Sequence, residues 1–383
     1  MSQAKPRILV VFGTRPEAIK MAPVIQALQA RPDVCTVRTC ATAQHREMLD
    51  QVLEVFQITP DIDLHLMQPG QSLSGLGARV LSAMDEVLLN EQPDWVLVQG
   101  DTTTVMMTAL AAQHRQVRVG HVEAGLRTYD RRNPFPEEMN RIVTDHVSDL
   151  LFAPTATARS YLLREGFEDH RIFVTGNTVI DALLTVVGEA WTPPPESPLH
   201  SLPNDRDWIL VTAHRRENFG QPLADICQAL AHIGRQRGQD VHVVYPVHRN
   251  PRVWDPVHQA LAHQPGITLL PPVDYRSLVY LMRRCRLILT DSGGLQEEAP
   301  SLNKPVLILR ETTERPEAVA AGAARLAGTD PERIVGETYR LLDDPVAYAQ
   351  MAAAVNPFGD GRAAWRITDA LLSKHHPAPS DQF

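Results

Sequence analysis

The sequence predicts an α/β protein built from two Rossmann-like, doubly wound domains that face each other across a cleft. Short apolar runs of strand composition alternate with helical patterns through most of the 383 residues. Such alternation is typical of βαβ units, which build parallel sheets with helices on both faces. A proline-rich stretch without periodicity interrupts the pattern once, and the alternation then restarts. Two domains joined by a linker are therefore expected.

The expected strands follow one another in two groups. Those of the first half carry the runs ILVVFG, CTVRTCAT, WVLVQG, VRVGHV and LLFAP, and those of the second half carry WILVTA, VHVVYPV, GITLL, LILTDSG and PVLIL. We predict a first domain over 1–190, a linker over 191–205 and a second domain over 206–361. The run RAAWRITDALLSKHH predicts a closing helix over 362–376, and residues 377–383 are expected to be a disordered tail.

Composition narrows the function classes. Hydrophobic residues make up 44% of the chain and charged residues 21%, with a formal net charge of -8, which argues against nucleic acid as a partner. No apolar run is long enough to span a bilayer, and the first apolar run reads as a strand instead of a signal peptide, so a cytoplasmic protein without membrane contact is expected. The 4 cysteines and 15 histidines lack the spacing of metal ligands, so no metal site is predicted.

The stretch 120–141, GHVEAGLRTYDRRNPFPEEMNR, is crowded with carboxylates and guanidiniums. Glu123 closes an apolar, strand-like run, and strand ends are where open α/β sheets bind their ligands. Glu137 and Arg141 stand four apart on the following helix and share one face; a solvated surface pair is the alternative to a functional one. The other face is predicted to bury an apolar stripe of Met139, Ile142, Val143, Val147 and Leu150.

Two further strand ends of the first half carry polar residues. The first strand runs into GTRPEAIK, where the helix N-terminus, Arg15 and Lys20 are predicted to point at a common anion. A capped helix with solvated charges is the alternative. Asp101 follows LVQG at the tip of the third predicted strand, and its alternative role is to cap the next helix.

The second half carries a candidate phosphate-binding turn. Ser292, Gly293 and Gly294 follow a strand and open a helix, so that main-chain N–H groups can approach a pyrophosphate, and Glu298 is one helical turn further on, placed to accept from ribose hydroxyls. An ordinary turn with an amphipathic helix is the alternative. His214 ends another strand, where it can act as an acid or a hydrogen-bond donor; the alternative is a solvated loop histidine.

The sequence resembles the non-hydrolysing UDP-N-acetylglucosamine 2-epimerases from its first strand to about Gly361. The shared blocks are GTRPEAIKMAP, TAQHREMLDQVL, QGDTTT, HVEAGLRT, NPFPEEMNR, TGNTVIDAL, VTAHRREN, PVHRNP, DSGGLQEEAP and RETTERPEA. The resemblance implies a glycosyltransferase-B fold, a homodimer, and reversible conversion of UDP-N-acetylglucosamine to UDP-N-acetylmannosamine. It also implies that neither a nicotinamide cofactor nor a metal is required.

The resemblance also implies roles for individual residues. The family's catalytic groups fall on Asp101, Glu123, Glu137, Arg141 and His214. Its contacts to UDP fall on Arg15, Ser292, Gly293, Gly294 and Glu298, with Lys20, His248 and Arg315 as further candidates. Some members are also activated by their own substrate through residues corresponding to 44–47 and 67–72; Gln44 matches that pattern, whereas Glu47 and Gly70 depart from it.

Chemistry explains why such groups are needed. The C2 proton of an acetamido sugar is not adjacent to a carbonyl group, so we expect UDP to be eliminated, giving a glycal, and then added back while a proton reaches the other face of C2. Two faces require two proton-handling groups, for which Asp101 and Glu123 are the first candidates and Glu137 the competing one. A hydrolysing epimerase, a sugar-transferring enzyme of the same fold and a non-catalytic UDP-sugar sensor remain alternatives.

Overall fold

The structure, a computed structural model, describes residues 5–42, 46–68 and 70–373, and only the backbone at 46–48. The chain clusters into two compact units. The first runs to Leu184 and resumes at Phe358, and the second spans Thr185–Pro357.

Strands and helices alternate along both units. The elements up to the unit boundary are β1 (Arg7–Phe12), α1 (Arg15–Gln29), β2 (Thr36–Ala41), α2 (Arg46–Val55), β3 (Ile62–Asp63), α3 (Leu73–Glu91), β4 (Trp95–Gln99), α4 (Thr103–His114), β5 (Arg118–Val122), α5 (Glu137–Val147), β6 (Leu150–Ala153), α6 (Ala156–Arg164), β7 (Ile172–Val174) and α7 (Thr178–Gly188). Those that follow are β8 (Asp207–Thr212), α8 (Gln221–Arg237), β9 (Val241–Pro246), α9 (Pro251–Leu261), β10 (Ile267–Leu270), α10 (Tyr275–Arg284), β11 (Cys285–Thr290), α11 (Gly293–Glu298), β12 (Val306–Ile308), α12 (Pro316–Ala320), β13 (Ala324–Leu326), α13 (Pro331–Asp343), α14 (Pro345–Ala352) and α15 (Ala363–Leu372).

Each unit has one parallel sheet. The first sheet has the strand order β3-β2-β1-β4-β5-β6-β7, and the second has β10-β9-β8-β11-β12-β13. The order reverses between β1 and β4 in the first sheet and between β8 and β11 in the second, which makes both sheets doubly wound. The predicted fold class, two Rossmann-like α/β domains, is thereby confirmed.

The central strands are buried on both faces, as a parallel sheet covered by helices requires. In β1, residues Ile8 to Phe12 are at most 2% exposed, and every residue of β4 is buried. Three strands were not predicted: β3, β7 and β13, which lie at sheet edges and have only two or three residues each. Segments this short carry no readable periodicity.

The chain leaves and re-enters its first unit. Residues 191–205 belong to the second unit, where Trp191 packs edge-on against Tyr280 of α10 with ring centroids 6.0 Å apart. The last helix, α15, belongs to the first unit and is capped by Asp181, whose carboxylate accepts the N–H groups of Ala363 and Ala364 at 3.1 and 2.9 Å. The predicted tail, 377–383, lies outside the described residues.

Two classes of feature do not occur among the described residues. No helix there combines the length and the apolar character that crossing a membrane would require. Nor does that part of the chain hold a cluster of three or more histidine, cysteine and acidic side chains arranged to hold a metal ion.

Candidate active site

The polar residues at the strand ends of the first unit meet at the point where the strand order reverses. Asp101 follows β4, Glu123 follows β5, and the turn that opens α1 follows β1. The carboxyl ends of β1, β4 and β5 are neighbours in the sheet, because β4 lies between β1 and β5. Open α/β sheets bind their ligands at this position.

Glu123 is held in an unusual conformation and by several donors. Its backbone is left-handed, with φ of 69°, which costs a residue with a side chain about 1–3 kcal/mol. The residue is 8% exposed. Oε1 accepts from Lys20 Nζ at 2.5 Å and from Asn177 Nδ2 at 3.0 Å, and Oε2 accepts from Gln99 Nε2. These donors offset the desolvation of the carboxylate and fix its direction.

Asp101 is bound by Arg141. The Nε and NH2 groups of Arg141 donate to Asp101 Oδ2 at 2.9 and 2.7 Å, and its NH1 group donates to Glu138 Oε2 at 3.2 Å. Asn140 Nδ2 donates to the main-chain oxygen of Asp101 at 2.7 Å. The residue that caps α4 is Thr102, so the alternative reading of Asp101 as a helix cap is wrong.

Helix α5 buries a polar face, contrary to the predicted apolar stripe. Its buried residues are Glu138, Asn140, Arg141, Thr144 and Asp145. Four members of the predicted stripe are only half buried, and the fifth, Leu150, is buried as part of β6: Met139, Ile142, Val143, Val147 and Leu150. The buried face of α5 contacts charged side chains and loop N–H groups. These contacts, and not the spacing of the apolar residues, decide which face of the helix is buried. Arg141 is therefore not part of a solvated pair, and Glu137 lies half buried at the first position of the helix.

A second buried polar group, the carboxylate of Asp145, contacts residues near the same strand ends. Asp145 Oδ1 lies 2.6 Å from His121 Nδ1 of β5, and Asp145 Oδ2 lies 2.7 Å from Arg127 NH2. His121 Nε2 in turn lies 2.8 Å from the carbonyl oxygen of Gly100. Burial alone would raise the pKa of Asp145, but the charges and hydrogen bonds of His121 and Arg127 lower it. This network joins α5 to the loops that carry Asp101 and Glu123.

The start of α1 differs from the predicted anion site. The N–H groups of Gly13 and Thr14 donate to Glu17 Oε2 at 2.5 and 3.1 Å, and Thr14 caps the helix in return. These donors are thus already occupied by a carboxylate of the chain itself, and Lys20 contacts Glu123. Burial raises the pKa of Glu17. Arg15 is half buried at the first position of α1. The capped helix, one of the two sequence-based alternatives, is therefore what forms, although Lys20 is not a solvated charge.

In the second unit, the predicted phosphate turn lies beside two arginines. Ser292 is the first residue before α11, and a Cβ built on Gly293 would lie 3.6 Å from Arg215 NH2 and 3.7 Å from the guanidinium of Arg315. Arg315 also pairs with Glu297 of α11. Small residues therefore leave the turn open next to two guanidinium groups, as a diphosphate would require.

Glu298 ends α11 with its carboxylate directed back over the turn. Its Oε2 lies 3.7 Å from the position of a Cβ built on Gly294, and its Oε1 accepts from the hydroxyl of Tyr275 at 2.7 Å. Gly294 and Glu298 thus lie close together.

His214 follows the end of β8 by two residues, with its side chain 37% exposed. Its ring stacks on that of His248 with centroids 5.3 Å apart and an angle of 12° between the planes. Its main-chain N–H donates to Asp291 Oδ2 at 2.8 Å. Burial lowers the pKa of His214; the charge of Asp291 opposes this, and His248 and Arg215 add to it.

Several contact residues escaped the sequence analysis. Gln99, Asn177 and Glu138 lie within the motif blocks, but nothing in their spacing shows that the first two reach Glu123, one from the end of β4 and the other from the residue before α7. Tyr275 lies outside all of the motif blocks. Gln44 and the side chain of Glu47, named for substrate activation, lie outside what the structure describes.

The chain is similar to known proteins in both sequence and structure. Residues 26–372 match the family described as UDP-N-acetylglucosamine 2-epimerase. The UDP-N-acetylglucosamine 2-epimerases of Salmonella typhimurium and Escherichia coli K12 are 54% and 53% identical to the chain; the alignments cover 96% and 95% of it and 98% of each relative. The crystal structure of the Neisseria meningitidis UDP-GlcNAc 2-epimerase bound to UDP-GlcNAc superimposes with a TM-score of 0.88 at 44% identity, covering 96% of this chain and 99% of that one.

Proposed function

The chain belongs to the UDP-N-acetylglucosamine 2-epimerase family, and on this premise we propose that it converts UDP-N-acetylglucosamine reversibly to UDP-N-acetylmannosamine without releasing the sugar. The observation that carries the proposal is the pair of carboxylates, Asp101 and Glu123, at the ends of adjacent strands. Their partners differ, since one is held by a guanidinium and the other by an ammonium and two amides. Inversion at C2 needs two proton-handling groups in different surroundings.

The proposed reaction is an elimination followed by an addition. One carboxylate takes the C2 proton, the C1=C2 double bond of a glycal forms, and the electron pair of the anomeric C1–O bond leaves with UDP. UDP then adds back at C1 while a proton reaches the opposite face of C2. The two-step reaction is redox-neutral. Both steps require that the negative charge of the free diphosphate be stabilised.

The residues divide between these tasks. We assign proton handling to Asp101 and Glu123, with Glu137 as the competing candidate, and charge stabilisation to Arg141 and His214. The groups assigned to UDP are Arg15, His248, Ser292, Gly293, Gly294, Glu298 and Arg315. Lys20, the remaining candidate for UDP, lies 2.5 Å from a carboxylate oxygen of Glu123, which favours a role in holding that carboxylate.

One experiment tests the proposal against its alternatives. Purified protein is incubated with UDP-N-acetylglucosamine in deuterated water, and C2 and the anomeric linkage are followed by NMR. We expect epimerised sugar that carries deuterium at C2 and is still linked to UDP. Epimerisation without deuterium would refute the elimination mechanism, free N-acetylmannosamine would show a hydrolysing enzyme, and unchanged substrate would leave a transferase or a sensor.

We also propose that the protein is a homodimer that associates through α3 and α4. A cavity of about 460 Å³ lies there, lined by side chains of α3, α4 and α5 that include Leu81, Met106 and Met107. Leu73 and Leu89 of α3 are 46% and 54% exposed. An apolar helix face of this kind favours a protein partner, and a second copy is the partner that the resemblance implies. Sedimentation velocity distinguishes a dimer from a monomer.

A further inference from the structure

Asp291 opens the block DSGG, but its side chain takes no part in the turn that the block forms. The residue is fully buried and directly follows β11. Its Oδ2 accepts the main-chain N–H groups of His214 and Arg215, both at 2.8 Å, and the Nδ2 group of Asn218 at 3.0 Å. Asn218 Nδ2 also donates to the carbonyl oxygen of Leu309 at 3.1 Å. This oxygen is therefore fixed by three donors of the loop that carries His214.

The other oxygen of Asp291 faces the imidazole. Oδ1 is buried and accepts no hydrogen bond from the residues that the structure describes, and it lies 3.8 Å from His214 Nδ1. That separation is too long for a hydrogen bond, yet a buried carboxylate oxygen without a donor is costly. A small rotation of the ring would bring the two atoms within range, and catalytic hydrogen bonds are often long in the free enzyme.

From this geometry we propose that Asp291 is the positioning residue of His214: its Oδ1 accepts a hydrogen bond from Nδ1–H, so that Nε2 can take up a proton and the resulting imidazolium, paired with Asp291, stabilises the charge of the departing diphosphate. The inference rests on the proposed function of His214. It assigns the first residue of DSGG to the imidazole, whereas the following residues serve the diphosphate.

The surroundings of His214 make the choice of nitrogen matter. The charged and titratable groups that act on its ring are Asp291, which directly follows β11, His248 from the loop after β9 and Arg215 from its own loop; burial, His248 and Arg215 lower its pKa, and Asp291 opposes them. A neutral imidazole carries a single proton, so its position decides which nitrogen can donate. His248 has the opposite arrangement to the one proposed for His214: its Nδ1 is the acceptor, because it accepts the N–H of Asn250 at 3.1 Å.

The exchange Asp291→Asn tests the proposal because the loop dictates how an amide must orient. Two main-chain N–H groups cannot turn away, so the amide oxygen must take the place of Oδ2. The NH2 group then faces His214 Nδ1, which becomes an acceptor, and the proton moves to Nε2. The variant keeps the shape and the three loop hydrogen bonds, but it reverses the tautomer.

The experiment uses the full-length protein with labelled histidine. In the wild-type protein we expect ¹⁵N NMR to show His214 protonated on Nδ1, and in Asp291→Asn on Nε2. Turnover should fall by about 10²- to 10⁴-fold, as expected for a wrong tautomer, while the Kd for UDP changes less than about threefold. A His214 tautomer that is unchanged in the variant would overturn the proposal.

A double-mutant cycle separates positioning from independent effects. In a His214→Ala background, adding Asp291→Asn should cost no further activity, because the two residues act as a unit. An equal loss in both backgrounds would show that Asp291 acts by another route and would refute the inference. The tautomer is read without turnover, so a failure of the proposed epimerisation, seen in wild-type protein, stays distinguishable from a failure of this inference.

Discussion

Glu137 and Glu138 are neighbours in the sequence, and the structure predicts opposite consequences for the exchanges Glu137→Gln and Glu138→Gln. Glu138 is fully buried: its Oε1 accepts the N–H groups of Thr128 and Tyr129 at 3.1 and 2.9 Å, and its Oε2 accepts from Arg141 at 3.2 Å. In Glu138→Gln, the amide oxygen can keep the two loop contacts. The amide NH2 then faces a guanidinium N–H, so the ion pair is lost and a donor meets a donor.

The expected cost follows from that geometry. Losing one partner of a buried ion pair costs about 3–5 kcal/mol, and the second contact of Arg141, to Asp101, favours the lower end, about 3 kcal/mol. In a unit of this size, each kcal/mol shifts Tm by about 2–4 °C. We therefore expect calorimetry to show the first unit melting about 6–12 °C lower in Glu138→Gln.

Glu137→Gln is the matched control. Its half-buried position at the start of α5 predicts a stability within about 0.5 kcal/mol of wild type, so its Tm should move by less than about 2 °C. If it handles a proton, turnover should nevertheless fall by at least about 10²-fold. Equal melting temperatures for Glu138→Gln and wild type, or equal losses of stability in the two variants, would contradict this reasoning.

Three further outcomes are expected. Glu123→Gln should abolish turnover while UDP binding, measured by calorimetry, stays largely intact; an active variant would remove Glu123 from the catalytic groups. Tyr275→Phe should raise KM about 3- to 10-fold with kcat unchanged, because it removes one hydrogen bond that orients Glu298; a loss confined to kcat would contradict that role. Burial alone would raise the pKa of Asp145, but the imidazole and guanidinium beside it hold that pKa below the ordinary 3.8. Its contribution to stability is thus complete above about pH 4 and is lost as pH falls through the folded pKa; urea denaturation should show this acid loss in wild type and a flatter profile in Asp145→Asn.

Helix α5 shows where pattern reasoning reaches its limit. The run EEMNRIVTDHV contains apolar residues at helical spacing, and that spacing predicts which face is buried. The structure buries the other face, because Glu138, Arg141 and Asp145 each have partners outside the helix. Hydrophobic periodicity registers the apolar residues but not the partners that make burial of a charge affordable.

The start of α1 shows a second limit of prediction from sequence patterns. Both an external anion and an internal carboxylate satisfy the N–H groups of a helix N-terminus, and the motif GTRPEAIK is compatible with either. The capping box formed by Thr14 and Glu17 decides between them. Lys20 was predicted either to point at the same anion or to be solvated, and in the structure it contacts Glu123, 103 residues further along the chain.

The sequence by itself determined the alternation of strands and helices, the two doubly wound sheets and the strand ends at which the site residues lie, because strand composition and turn residues are local properties. The motif blocks determined the family in the same way. Only the tertiary structure decided which distant charges are paired: Arg141 with Asp101, Lys20 with Glu123, and Asp291 with the loop of His214. Such pairs join residues between 40 and 103 positions apart, and their geometry is set by the packing of strands and loops, which no local pattern encodes.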